Sequence, residues 1–205
     1  MKTSVIGAAL ASVLCFSAQS ASALDFDFSG NFTQDDDVVL LDFTVGSDSN
    51  ITIFSSSWDE GGFDPILAIW NSTGGLVSEQ DDGHNIGSTV SNGTSYSHGN
   101  WDSYYDVFLT AGTYTASIAQ SANFAAGSNL SDGFTQSGAN FTASYGCTNE
   151  QFCGVLSSND NRTSAWAFHI LNVAEAAVRP VPEPTSLALL GLGLVGFGMA
   201  RRKKA

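Results

Sequence analysis

Ile66-Leu67-Ala68-Ile69-Trp70-Asn71-Ser72-Thr73-Gly74-Gly75-Leu76-Val77 is the stretch on which the fold turns. Five apolar residues run into a polar turn with two glycines, and apolar residues resume at once. The Ser-Thr-Gly-Gly break between them is a hairpin signal. Upstream, Val39, Leu41, Phe43 and Val45 fall on one face, with Asp42 and Thr44 on the other; Ile51 and Ile53 follow. Downstream, Val107 and Leu109 precede the turn Ala111-Gly112, after which Tyr114, Ala116 and Ile118 alternate with Thr113, Thr115 and Ser117. Phe26, Phe28 and Phe32 open the series, and further strands are expected at 139–145 and 165–173. Period-two alternation with one polar face marks antiparallel sheet. No stretch between 24 and 180 keeps a helical period. The pattern predicts an all-β chain, an antiparallel two-sheet sandwich. Residues 85–100 and 122–138, rich in Gly, Ser and Asn, read as long loops.

The two ends read differently. Met1-Lys2 is a short positive start, residues 5–16 are largely apolar, and Ala21-Ser22-Ala23 has the small-x-small pattern of a cleavage site. That order is a secretion signal over residues 1–23; its apolar run falls short of the ~20 residues of a spanning helix. At the other end, residues 185–200 carry no charge and include LALLGLGLVGFGMA from Leu187, followed by Arg201-Arg202-Lys203-Lys204. A basic cluster behind an apolar helix stays cytoplasmic, which places the rest of the chain across the membrane. Four glycines weaken this short helix, as suits a temporary membrane stop. Val181-Pro182-Glu183-Pro184 stands before it, and its prolines hold the segment extended.

Val-Pro-Glu-Pro, a Gly/Leu-rich apolar stretch and a terminal basic cluster together resemble the PEP-CTERM sorting domain. The resemblance implies recognition by an exosortase, a transient hold in the inner membrane, and transfer to the surface or exterior of a Gram-negative, exopolysaccharide-producing cell. The expected organisation is a signal peptide (1–23), a sandwich domain (24–173), a linker (174–180) and the sorting signal (181–205). The middle has a likeness of its own. Asp64-Pro65-Ile66-Leu67, the hairpin, Asp81-Asp82-Gly83 and then Leu109-Thr110-Ala111-Gly112-Thr113-Tyr114 form an ordered series. It resembles bacterial pre-peptidase C-terminal-type domains over about residues 26–120, and implies a jelly-roll-like sandwich.

Between 24 and 180 the only basic residues are Arg162 and Arg179, against 19 carboxylates, for a formal charge of −17. Such a surface repels nucleic-acid phosphates and suits an extracellular face or one that collects cations. Cys15 leaves with the signal, and Cys147 and Cys153 are expected to pair in an oxidising compartment. The acidic groups Asp35-Asp36-Asp37, Asp64 and Asp81-Asp82 are candidate Ca2+ ligands, because Ca2+ takes six to eight oxygens and tight turns gather them. Asp64 and Asp81 flank one hairpin, so its two ends can share an ion. Aspartate is also a routine turn former, and solvated turns are the competing reading.

His84, His98 and His169 have no metal-ligand spacing and are expected at the surface. No G-x-S-x-G elbow appears, and no pair of carboxylates is singled out for glycoside cleavage. The chain is expected not to be an enzyme. Trp101, in Gly99-Asn100-Trp101-Asp102, is the candidate for stacking on a sugar; Trp70 is expected inside. The expected role is a structural or interaction component of the exopolysaccharide matrix, with a carbohydrate-binding module and a secreted hydrolase as rivals.

Overall fold

The computed structural model describes residues 22–83, 85–154 and 160–180. The sorting motif Val181 to Pro184, the basic cluster Arg201 to Lys204, Ala21 and His84 lie outside the described residues. Among the described residues eleven strands are found: β1 (Leu24–Asn31), β2 (Val38–Val45), β3 (Ser49–Ser55), β4 (Pro65–Asn71), β5 (Leu76–Asp81), β6 (Gly87–Ser91), β7 (Thr94–His98), β8 (Tyr104–Leu109), β9 (Gly112–Gln120), β10 (Ala165–Val173) and β11 (Glu175–Val178). One sheet has the order β1-β10-β3-β8, the other β11-β2-β9-β4-β5, and β6-β7 form a separate hairpin. Every pairing is antiparallel.

The pairs β1·β10, β2·β9, β3·β8 and β4·β5 nest inside one another. The chain is thus one long hairpin wound between two sheets, the jelly-roll winding, with its tip at Ser72–Gly75. At that tip Asn71 Oδ1 accepts from the backbone of Thr73 and Gly75 and from the Thr73 hydroxyl. Gly74 takes a positive φ of 84° that few side chains tolerate.

The alternation read from the sequence decides what faces inward. Leu41, Phe43, Val45, Ile51, Ile53, Leu67, Ile69, Ala116, Ile118, Phe168 and Ile170 fill the space between the sheets. Each of the larger of these side chains taken out of water contributes roughly 1.5–3 kcal/mol. Trp70 is buried as expected, but on the outer face of the second sheet, against Phe134 of a covering segment. That segment, 122–146, forms a third layer over β4 and β9.

Four readings are corrected. Residues 85–100 are not a loop: β6 and β7 pair around Asn92-Gly93, both at positive φ, the conformation of a two-residue hairpin turn. Residues 139–145 are not a strand. Asn140 sits at φ 71°, and Phe141–Tyr145 coil into a 3-10 turn because buried Asp35 captures the N–H groups of Asn140 and Thr142. The supposed linker 174–180 contains β11, which pairs along β2 from Thr44 to Leu41. Finally, His98 and His169 are buried, 2% and 1% exposed, where surface positions were expected. Both rings pack on Phe54.

Candidate functional site

The carboxylates at the open end of the β4–β5 hairpin come together. Asp64 precedes Pro65, which holds it extended. Ile66 stands opposite Asp81 on one side and Ala119 on the other, so Asp64 and Asp81 share the outer face of the sheet. Asp82 turns the chain at φ 65°. Gly83 then passes so near Tyr104 that a Cβ would lie 2.6 Å from the Tyr104 backbone nitrogen. One oxygen from each of Asp64, Asp81 and Asp82 falls within 4.8 Å of the others. Asp64 is 2% exposed, and Oδ1 of both Asp64 and Asp81 is buried with no hydrogen-bond partner. The other Asp81 oxygen accepts from Ser121 Oγ at 3.3 Å. Burial, reinforced by the charges of Asp81, Asp82 and Asp102, pushes the Asp64 carboxyl up to about 9. Burial and then Asp82 push Asp81 up to about 6.

Asp35, Asp36 and Asp37 do not join this group. Asp35 accepts from Asn140 N, Thr142 N and Thr142 Oγ1 at 2.6–2.9 Å. Asp36 accepts from Gly138 N, and Asp37 caps the turn at Thr33 and Gln34. Asp35 and Asp36 pin the covering segment to the start of β2, while Asp37 is taken up by its own turn. That segment continues into the Cys147–Cys153 disulfide, which is formed. Cys153 is buried and held on both sides, its N–H donating to Thr142 Oγ1 and its carbonyl accepting from Gln120 Nε2.

Trp101 lies 36% exposed, its ring 5.9 Å from that of Trp58. Their meeting depends on Asp102, which is buried and accepts from Ser55 Oγ, Trp58 N, Asp59 N and Gly99 N. Burial raises the Asp102 carboxyl, and these bonds oppose the rise. The Arg162 guanidinium sits 3.7 Å from the Trp58 ring centroid. It also donates to the carbonyls of Gly62 and Trp58. The result is an aromatic ledge, Trp101 outermost, backed by one of the two cations of the domain.

Sequence reasoning missed a fourth arrangement. His169 Nδ1 is 2.7 Å from Asp27 Oδ1, and His169 Nε2 is 3.0 Å from Ser56 Oγ. Serine, histidine and aspartate stand in the order of a nucleophilic triad. Ser56 Oγ also donates to Glu60 Oε1. Asp27 and His169 are register partners on β1 and β10, and Phe54 of β3 is next in line. The β6–β7 hairpin covers them: Tyr96 packs on the His169 ring at 4.0 Å and Asn92 binds Asp27. Ser56 is fully buried. No local motif announces such a set, because its members lie 142 positions apart in the chain.

Among the described residues no helix is long and apolar enough to cross a membrane. The described domain is an acidic jelly-roll sandwich whose last strand, β11, ends two residues before the C-terminal signal. Residues 180–203 match the PEP-CTERM protein-sorting motif. That motif makes the chain an exosortase-targeted, exported protein, held at the membrane before processing. No curated protein matches the chain.

Proposed function

We propose that this protein is a non-enzymatic component of the extracellular matrix of a Gram-negative cell, and that it holds exopolysaccharide on the Trp58–Trp101 ledge. The observation that carries the reading is the exposed Trp101 ring, set against Trp58 by buried Asp102. A flat apolar ring in a polar surround stacks on the C–H face of a sugar while neighbouring carboxylates take its hydroxyls. Arg162 stacks on the Trp58 ring and donates to the Gly62 and Trp58 carbonyls, which stiffens the back of the ledge.

The test is retention of the host's own exopolysaccharide by the full-length chain on an affinity gel. Trp101→Ala is expected to lower retention at least tenfold. Equal retention by wild type and variant rejects the ledge.

One observation favours a second reading, a hydrolase built on Ser56, His169 and Asp27. Against it, Ser56 and His169 are sealed under the β6–β7 hairpin and Ser56 is also engaged by Glu60. Labelling by a fluorophosphonate that disappears in Ser56→Ala would establish the hydrolase; no labelling supports the binding role.

A further inference from the structure

We propose that Asp64, Asp81 and Asp82 form a binding site for a hard divalent cation of the Ca2+ type, one that locks the base of the β4–β5 hairpin. The site is separate from the aromatic ledge, and its failure would leave the sugar-binding reading standing.

Three carboxylates within 4.8 Å are not enough, since acidic clusters often occur without an ion. The second observation is that Asp64, which contributes an oxygen to this cluster, is almost wholly buried and its Oδ1 has no hydrogen-bond donor. Asp81 Oδ1 is in the same state. A buried acceptor without a donor is costly, and a buried carboxylate among carboxylates more so. Two other buried aspartates are satisfied differently. Asp35 is as buried as Asp64, yet hydrogen bonds from Asn140 N, Thr142 N and Thr142 Oγ1 occupy both its oxygens. Asp102, buried likewise, accepts four bonds. The chain knows how to satisfy a buried aspartate, and at Asp64 it supplies only other aspartates.

A cation reverses these costs. The donor set is entirely oxygen, which excludes soft-metal preference and suits Ca2+ or Mg2+. Carboxylates on a strand end and a tight turn, with no ring of ordered ligands, fit the irregular coordination of Ca2+ better than a rigid octahedron. Tyr145 of the covering segment is near enough for Asp64 and Asp81 to raise its phenol after the effect of burial. The ion would therefore sit where the hairpin, the β9 end at Ser121 and the covering layer converge. It would also brace Gly83, whose N–H donates to the Asp102 carbonyl beneath the ledge.

The experiment is thermal melting of the full-length chain, purified in detergent, with EDTA and with CaCl2. Extracellular modules bind Ca2+ at roughly 0.1–1 mM. At about 10 mM Ca2+ the wild type should melt about 3–10 °C higher than in EDTA. In Asp64→Asn/Asp81→Asn the shift should vanish, while the melting point in EDTA should equal or exceed that of the wild type because the crowded charges are gone. Asp81→Asn alone, a milder change, should raise the Ca2+ concentration for half the shift at least tenfold. Asp106→Asn, on the edge strand β8, should keep the full shift. No shift in wild type, or the same shift in the double variant, overturns the site.

Discussion

His169 and Asp27 face each other across the β1–β10 ladder, the imidazole Nδ1 2.7 Å from Asp27 Oδ1. Burial holds the His169 imidazole below its ordinary value, against the pull of Asp27. Asp27 feels burial too, but hydrogen bonds from Ser91, Asn92 and His169 bring it below the usual carboxylate range. Both shifts have the same sign for stability. A group whose value is depressed in the fold stabilises above its unfolded value and loses that contribution as pH falls through the folded value. For His169 the loss begins near pH 6.5. Wild type should therefore lose stability faster than His169→Gln as pH drops from about 7 to 5, by up to about 1 kcal/mol per pH unit. Urea unfolding of both proteins at several pH values checks this. The raised carboxyl of Asp64 has the opposite slope but is common to both proteins and cancels in the difference. Parallel curves would mean that His169 titrates alike folded and unfolded.

Asp102 joins the 55–59 turn to the 99–103 turn through four hydrogen bonds, beside the one that Ser103 N donates to Ser55 Oγ. Hydrogen bonds to a charged acceptor contribute about 1.5–3 kcal/mol each, not additively. Asp102→Ala strands three backbone donors and one hydroxyl, and should cost about 3–4 kcal/mol in urea unfolding. It should also separate the two indoles. The measured sign is a red-shifted tryptophan emission in the folded variant and weaker polysaccharide retention with Trp101 still present. A variant that keeps both would show that the ledge is held by the Arg162 contact instead.

The parts of this fold that could be read from sequence are those where one face is apolar and the other wet. Val39, Leu41 and Phe43 announce β2, and Tyr114, Ala116 and Ile118 announce β9, because their alternation is the burial pattern itself. The Asp64 and Asp81 pairing was legible for a related reason: a hairpin with a recognisable tip brings its two ends together. The β6–β7 hairpin was illegible because it lies over an outer face. Val90 is exposed, so its strand has little apolar periodicity, and only Asn92-Gly93 marked the turn. Residues 139–145 looked like a strand by alternation, and the winner was a long-range partner, Asp35, that no local window contains. The same blindness hid His169 and Ser56.

Arg179 makes a forked contact to Asp42, donating from Nε at 3.0 Å and from its terminal nitrogen, and it also reaches Thr115 Oγ1. Its backbone N–H donates to the Leu40 carbonyl. The Arg179 bond is the main cause that holds Asp42 below the usual carboxylate range. This clasp lies one residue before the matched sorting motif, so the sandwich ends where the signal begins. Because the pair is half exposed, Arg179→Ala should cost the whole fold no more than about 1 kcal/mol. Its local effect should be larger. Hydrogen exchange of the β11 amides should speed up at least fivefold in the variant while β9 stays protected. Uniform acceleration across both strands would refute a local clasp.

The disulfide is the last device to test, since it depends on the compartment that the sorting motif implies. Cys147 and Cys153 lie six positions apart, with Cα atoms 5.3 Å from each other. A loop that small restricts the unfolded chain modestly, by about 2 kcal/mol on the chain-entropy estimate. The bond also fixes Cys153, through which Thr142 and Gln120 are joined, and Thr142 is the residue that Asp35 holds. Reducing it should therefore loosen the covering segment first. Cys147→Ala/Cys153→Ala should melt about 4–8 °C lower than wild type under oxidising conditions. A reductant should bring the wild type down toward the variant and leave the variant unmoved. Protease cleavage should then appear within 122–154 before any strand of the two main sheets is cut. If the two proteins melt together without reductant, the bridge adds nothing to the side-chain and backbone bonds already around it.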